Sequence, residues 1–125
     1  MMGRWFLFGV LVCNGVYAQE ARPIRMIVPF SGGSASDVIT RIVIERIVAT
    51  TGQRYVLDNR PASGGNLGTQ MLAKATPDGY TFGMSASGPL AANKTLFKDL
   101  GYDPERDTQA VTLFASLPNV VVVSA

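Results

Sequence analysis

Short apolar runs alternate with polar, glycine-containing loops and with longer amphipathic segments along most of the chain. Continuous apolar stretches predict buried strands at residues 24–28, 55–57, 80–84, 111–115 and 120–123. Apolar positions at helical spacing predict helices at 36–51, 65–75 and 90–97, with a polar turn or a single helical turn at 103–107. This alternation predicts an α/β fold with a mainly parallel sheet and right-handed crossovers.

The first predicted helix carries sequence signals at both of its ends. Ser34 can cap its start, and Asp37 follows three residues later in a capping-box arrangement. Gly52 is a candidate for the left-handed residue that ends the helix. The residues expected to face the core are Ile39, Ile42, Val43 and Ile47 in this helix, and Leu67, Met71 and Leu72 in the second.

Two loops that follow predicted strands, at 31–37 and 61–66, are rich in glycine and serine. Each leads into a helix, whose first backbone N–H groups have no intrahelical partner and lie at the positive end of the helix dipole. The carboxyl ends of parallel strands meet at one edge of a sheet, so both helix starts can face one ligand there. A third loop, at 85–89, should open at the same edge. These loops predict the binding of a small acidic molecule.

Each of these features also has a purely structural explanation. A single glycine can be only a turn residue, and Asp37 can serve as a helix cap, although capping and ligand contact are compatible. Asp58 and Arg60 can simply pair at the end of a strand. The loops lack the Gly-Lys-Ser/Thr ending of a phosphate-binding loop and the Gly-x-Gly-x-x-Gly spacing, which argues against nucleotide binding.

The composition narrows the range of functions. The 125 residues are 47% hydrophobic, which suits one packed domain, and the formal net charge is only +2. The sequence contains no run of basic residues of the kind that would indicate a nucleic-acid partner. The sequence has no histidine, which is both the commonest general base and the commonest metal ligand, and its single cysteine is Cys13. We therefore expect no enzymatic activity, no cofactor and no metal site.

Residues 1–18 have the organisation of a secretory signal peptide. Arg4 precedes an apolar run at 5–12, and small residues at 16 and 18 predict cleavage after Ala18. The apolar run is too short to span a bilayer. Cys13 lies inside this segment, so the mature chain would contain no cysteine. Two alternatives remain open, an ordinary buried segment and a lipoprotein signal at Cys13.

Several blocks of the sequence resemble one known family. They are residues 23–30, 33–37, 58–68, 75–81, 102–104 and 117–120. In order and in content they are similar to the tripartite tricarboxylate transporter substrate-binding proteins, also called Bug proteins. The blocks Asn-Arg-Pro-x-x-Gly-Gly-Asn and Pro-Asp-Gly-Tyr-Thr are the most specific, and together the blocks cover nearly all of the predicted mature chain.

This resemblance implies a periplasmic solute-binding protein that captures a small carboxylate for the subunits of a membrane permease. The carboxylate would be a di- or tricarboxylate, an acidic amino acid or an aromatic acid. The implied fold is periplasmic-binding-protein-like (type 2), with two lobes around a hinged cleft. Residues 19–125 would form the N-terminal part of the first lobe, ending near the crossover to the second lobe. The full-length protein would be a monomer without catalytic activity.

In the family, loops of the first lobe hold a ligand carboxylate through backbone N–H groups, hydroxyls and ordered water. The resemblance carries this role onto Phe30, Ser31, Gly33, Ser34, Ser36, Asp37, Ala62, Ser63, Gly64, Gly65, Asn66, Ser85 and Ser87. The chain departs from the family pattern in two ways. Its first glycine pair stands one place early, with Ser34 where glycine is common, and family members are much longer. The alternative is therefore a truncated gene fragment of such a protein that does not bind a ligand.

Overall fold

The computed structural model describes residues 22–113, 115–118 and 120–124, so the predicted signal peptide lies outside the described residues. Three parallel strands form one sheet in the order β2-β1-β3. They are β1 (Ile24–Val28), β2 (Tyr55–Asn59) and β3 (Thr81–Gly83). Helix α1 (Ala35–Thr51) joins β1 to β2, and helix α2 (Asn66–Ala73) joins β2 to β3. The predicted α/β fold with a parallel sheet is confirmed.

The central strand β1 forms the core because it is paired on both sides. Ile27 and Val28 are almost fully buried, and their neighbour Pro29 is also buried. Since the chain moves from β1 out to β2 and then back past β1 to β3, right-handed crossovers place α1 and α2 on opposite faces. Consecutive residues of β1 therefore face different helices, and this explains why all of its residues except Arg25 are apolar.

The inward face of α1 follows the predicted stripe in part. Ile39, Val43 and Ile47 are half-buried, whereas Ile42 is 61% exposed. The fully buried residues are Asp37, Thr40 and Ile44. Thr40 is buried because its hydroxyl donates to the Ser36 carbonyl at 2.7 Å, which satisfies a polar group that would otherwise disfavour burial. The hydrophobic pattern could not identify Asp37 and Thr40 as buried positions of α1, because both residues are polar.

The predicted ends of α1 are confirmed. The Ser34 hydroxyl accepts a hydrogen bond from the Asp37 backbone N–H at 3.3 Å, so Ser34 caps the helix. Gly52 has a left-handed backbone with φ of 70°, and its N–H donates to the Val48 carbonyl at 2.9 Å.

Helix α2 lies close to the sheet edge through its small residues. Gly68 and Thr69 are buried, whereas Leu67, which was predicted to face inward, is 43% exposed. A methyl group on Gly68 would lie 2.6 Å from Cβ and 2.7 Å from Cα of Pro29. The absence of a side chain at Gly68 therefore sets the distance between α2 and the end of β1.

The chain beyond β3 forms short helical turns. A π-helical turn at Gly88–Ala92 continues into α3 (Asn93–Leu96), and α4 (Pro104–Asp107) follows. Asp103 caps α4 by accepting from the Glu105 backbone N–H at 3.1 Å. The Tyr102 hydroxyl donates to the Pro89 carbonyl at 2.8 Å and ties this segment to the turn after β3.

The predicted strands at 111–115 and 120–123 are wrong for the described residues, which form no strand there. Leu113 is 85% exposed and Val121 is 93% exposed. A cavity of about 980 Å³ lies between residues 108–113 and an apolar wall that includes Ile44 and Phe82. A strand needs a hydrogen-bonded neighbour, and this cavity separates the segment from the sheet.

Candidate functional site

Three loops meet beyond the carboxyl ends of the strands, as the sequence predicted. The first loop (29–34) leads from β1 to α1, the second loop (60–65) leads from β2 to α2, and the third loop (84–89) follows β3. A methyl group on Gly65 would lie 3.3 Å from the ring of Phe30 and 2.9 Å from Cγ of Pro89. The first and third loops thus both contact the second loop at this glycine.

The first loop leaves backbone donors free at the start of α1. The Ser34 N–H donates to the Ser31 carbonyl at 3.1 Å, and the Ser34 carbonyl accepts from the Val38 N–H at 2.9 Å. The N–H groups of Ala35 and Ser36 have no acceptor among the described residues. Two amide donors therefore remain at the positive end of a 17-residue helix.

Asp37 lies at the centre of a hydrogen-bond cluster. Its Oδ2 accepts from the Gly33 N–H at 2.8 Å and from Nε of Arg41 at 2.9 Å. Its Oδ1 accepts from Nδ2 of Asn59 at 3.0 Å. The capping box is thus shifted by one residue, because the carboxylate reaches Gly33 rather than Ser34. Both oxygens of this buried carboxylate are occupied by protein donors.

These contacts stabilise the charged form of Asp37. The hydrogen bond from Arg41 has the largest effect, followed by those from the Gly33 N–H and Asn59, and together they hold the pKa of Asp37 well below its ordinary value. The arginine also compensates the charge, so the pair adds no net negative charge beside the start of α1.

Because the pKa of Asp37 is lower in the folded protein than in the unfolded chain, its contribution to stability is present above pH 4 and is lost as the pH falls further. We expect the free energy of unfolding of the gene product to decline between pH 5 and pH 3, and to decline less in Asp37→Asn. Urea denaturation at stepped pH measures both curves. Equal declines in the two proteins would contradict this assignment.

Asn59, the last residue of β2, was not among the predicted site residues. Its Nδ2 donates both to Asp37 and to the Phe30 carbonyl, the latter at 3.1 Å. It therefore connects the end of β2 with the first loop. Two sequence signals point to this residue: an amide side chain where a strand ends, and its place at the start of the block Asn-Arg-Pro-x-x-Gly-Gly-Asn.

The second loop has an unusual backbone. Ser63, Gly64 and Gly65 all have positive φ, at 48°, 63° and 95°. Ser63 is the only non-glycine residue with positive φ in the part of the chain that the structure describes. Three consecutive residues of this kind form a left-handed turn, which the Gly65 N–H closes by donating to the Ala62 carbonyl. Ser63 and Gly64 are exposed, so their amides are accessible to a ligand.

The other predicted residues of the second loop have packing roles. Gly65 is buried, and its N–H donates to the carbonyl of half-buried Ala62 at 2.9 Å. Asn66 is buried, and its Oδ1 accepts from Nδ2 of Asn93 at 2.5 Å. These side-chain amides join the start of α2 to α3 behind the exposed part of the loop.

The third loop is attached to the second through Thr69. The Thr69 hydroxyl donates to the Gly65 carbonyl at 3.0 Å and lies 2.9 Å from the hydroxyl oxygen of Ser85. Because Thr69 has one hydroxyl hydrogen and uses it on Gly65, Ser85 is the donor in the second bond. Ser87 is exposed and makes no capping hydrogen bond. Ser85 therefore supports the second loop, and Ser87 is free to contact a ligand.

The expected pair of Asp58 and Arg60 is confirmed at 2.6 Å, and Arg25 bonds to the same carboxylate through Nε at 3.0 Å. Burial raises the pKa of Asp58, but hydrogen bonds from Arg60 and Arg25 outweigh burial and lower it. The positive charge of Arg60 is thus already engaged by the protein.

Neither a bilayer-spanning helix nor a cluster of three metal-ligating side chains occurs within residues 22–113, 115–118 and 120–124.

Several solved structures are similar to this chain, and one of them is a periplasmic binding protein. A structure of the periplasmic binding protein BugD is similar with a TM-score of 0.64 and 34% identity, over 68% of this chain and 28% of BugD. MatC from Rhodopseudomonas palustris, with bound malate, has a TM-score of 0.65 and 32% identity, over 70% of this chain and 30% of MatC. Another R. palustris protein, with adipate, has a TM-score of 0.64 and 34% identity, over 70% of this chain and 29% of its own.

The family model for the tripartite tricarboxylate transporter family receptor matches residues 39–125, and the chain belongs to this family. BugT of Bordetella pertussis is 38% identical over 105 residues, which are 83% of this chain and 32% of BugT. A UPF0065 protein of Pseudomonas sp. strain P51 is 40% identical over 108 residues, 86% of this chain and 32% of its own. The chain thus spans about a third of the length of these relatives. The family resemblance in the sequence is confirmed, and the solved structures similar to the chain include the periplasmic binding protein BugD.

Proposed function

We propose that this chain forms one wall of the carboxylate-binding cleft of a periplasmic solute-binding protein. The observation that carries the proposal is the pair of free amides, Ala35 and Ser36, at the start of α1. They lie in the same group of loops as the exposed backbone of Ser63 and Gly64. Both features favour an anion, since backbone N–H groups and the helix dipole supply positive potential without a charged side chain.

The chemistry of the neighbouring side chains supports a carboxylate ligand. Hydroxyl groups of Ser31, Ser34 and Ser36 lie in or beside the first loop and can donate to carboxylate oxygens. The ion pair between Asp37 and Arg41 keeps this wall close to neutral. The malate and adipate of the similar structures are consistent with a dicarboxylate here.

The same proposal includes the route of the ligand. Residues 1–18 would direct export to the periplasm, and the loaded protein would deliver its carboxylate to membrane permease subunits. The family to which the chain belongs is a transporter receptor family, which supports this partnership. A second lobe, as the resemblance implies, would close over the ligand by hinge motion, and the protein would act as a monomer.

Calorimetric titration of the full-length gene product with malate, adipate and citrate tests the ligand class. We expect at least one acid to bind, and its uncharged diamide not to bind. If no acid produces heat, the competing hypothesis of a non-binding gene fragment is favoured. Equal affinity for the acid and the diamide would also contradict the proposal.

Ala35→Pro tests the amide donor directly. Proline is tolerated at the first position of a helix, and it requires an extended residue before it. Ser34 already has φ of −66° and ψ of 160°, so the substitution deletes one N–H without a change of backbone. We expect the affinity for the best acid to fall about tenfold, as for the loss of a hydrogen bond to a charged group. Ala35→Val, which keeps the N–H and adds similar bulk, is the matched control.

A further inference from the structure

We infer that Asn59 is a positioning residue, which holds the first loop in the shape that lets the start of α1 meet a carboxylate. The inference rests on the proposed function and names a residue that does not itself contact the ligand. Its basis is a set of hydrogen bonds that links the end of β2 to both ends of the first loop.

The side-chain amide of Asn59 is fully used. Its two Nδ2 hydrogens meet the Phe30 carbonyl at 3.1 Å and Oδ1 of Asp37 at 3.0 Å. Both partners can only accept, so the orientation of the amide is fixed by its surroundings. Its Oδ1 lies 3.5 Å from Nη2 of Arg41, a cation that favours an acceptor. No other orientation satisfies all of these groups.

Asp37 extends this contact across the first loop. The carboxylate that Asn59 holds through Oδ1 accepts the Gly33 N–H through Oδ2 at 2.8 Å. Asn59 thus fixes Phe30 near the beginning of the loop directly, and Gly33 near its end through Asp37. Between them, Ser31 and Gly32 are exposed, and a methyl group on Gly32 would meet no atom within 4 Å. Hydrogen bonds rather than apolar packing therefore hold this exposed part of the loop in place.

A neutral side chain at residue 59 also avoids electrostatic repulsion with Asp37. A carboxylate at residue 59 would lie about 3 Å from that of Asp37, and two such groups cannot both remain ionised without strong repulsion. It would also add negative charge beside a site proposed for an anion. The asparagine amide donates two hydrogen bonds and adds no charge. Aspartate would add a charge, and leucine would donate no hydrogen bond.

Asn59→Asp in the full-length gene product tests the inference, with malate and adipate as probes. At pH 8 both carboxylates are charged, the donation to Phe30 is lost, and we expect the affinity to fall about a hundredfold relative to wild type. Towards pH 5 the close pair takes up one proton, which restores one donor. The ratio of variant to wild-type Kd should then shrink at least tenfold. Because both proteins bind the same ligand at each pH, the ratio of their Kd values does not depend on how far the ligand itself is protonated.

Gln53→Glu is the matched control, because it also converts an amide to a carboxylate. Gln53 donates to the Arg22 carbonyl at 3.0 Å before the start of β2, at the opposite end of that strand from Asn59. We expect its Kd ratio to stay within about twofold of wild type across the pH range. An equal loss in Gln53→Glu, or a ratio for Asn59→Asp that does not change with pH, would overturn the inference.

Amide hydrogen exchange without ligand separates this inference from the proposed function. We expect the Gly33 N–H to exchange at least tenfold faster in Asn59→Asp than in wild type at pH 8, and to be unaffected in Gln53→Glu. If wild type binds none of malate, adipate and citrate, the proposed function fails, while the Gly33 exchange rate still tests whether Asn59 positions the first loop. An unchanged Gly33 rate in Asn59→Asp overturns the inference whatever the binding results.

Discussion

Gly68→Ala is expected to lower the free energy of unfolding of the gene product by about 3 kcal/mol, although alanine is normally the better helix residue. The added methyl would lie 2.6 Å from Cβ and 2.7 Å from Cα of Pro29, and 3.3 Å from the Arg60 carbonyl. Two of these atoms belong to the backbone, which cannot move aside as a flexible side chain can. Helix α2 must therefore shift away from the end of β1.

Urea denaturation of wild type and variant measures this loss. Gly32→Ala is the control, because an alanine methyl there meets nothing within 4 Å, and we expect a change within about 0.5 kcal/mol. A Gly68→Ala protein as stable as wild type would show that α2 can retreat without loss, and would contradict the close approach described for this helix.

Gly65→Ala is expected to weaken carboxylate binding at least tenfold more than Gly64→Ala. Both glycines have positive φ, at 95° and 63°, so both substitutions carry the strain of a left-handed backbone, about 1–2 kcal/mol. They differ in the space around them. A methyl on Gly65 would meet Pro89 at 2.9 Å and the Phe30 ring at 3.3 Å, whereas one on Gly64 meets nothing.

The comparison of Gly65→Ala with Gly64→Ala is informative because Gly64 is exposed and Gly65 is buried. If Gly65 acts by keeping the first and third loops together, its alanine variant separates them and displaces the free amides of α1. Titration of both variants with the same acid measures the difference. Equal losses would show that only the backbone strain matters, and that the contact of the three loops does not determine affinity.

The sequence was sufficient for the strands and helices that precede residue 84. Ile24–Val28 was predicted to the residue, because a short apolar run ends at Pro29. The cap at Ser34 and the end at Gly52 followed from local chemistry that acts within one helical turn. The meeting of the loops at one edge followed from parallel pairing alone.

Other features depend on contacts between distant parts of the chain, and no local pattern reveals them. Asn59 contacts Phe30 and Asp37, which lie 29 and 22 residues away in the sequence. Thr69 is buried because Gly65 and Ser85 satisfy its hydroxyl. Ile42 was expected inside and is exposed, because polar residues occupy the buried positions of α1. Hydrophobicity predicts burial only where polar groups have no partners.

The valines at 120–123 are the opposite case, in which apolar residues that were predicted to be buried are exposed. Their sequence is typical of a buried strand, yet each is at least 78% exposed, because no strand among the described residues pairs with them. Residues 108–113 are likewise separated from the apolar wall by the cavity of about 980 Å³. The hydrophobic pattern of a segment shows which surface it could bury, but burial also requires a neighbouring segment that packs against that surface.

The exposed valine run gives this chain a hazard of self-association. Short, uncharged segments of high β-propensity are templates for intermolecular pairing, and β3 carries an edge that no described strand covers. Two copies that meet before these surfaces are covered can join edge to edge and enter a fibrillar aggregate.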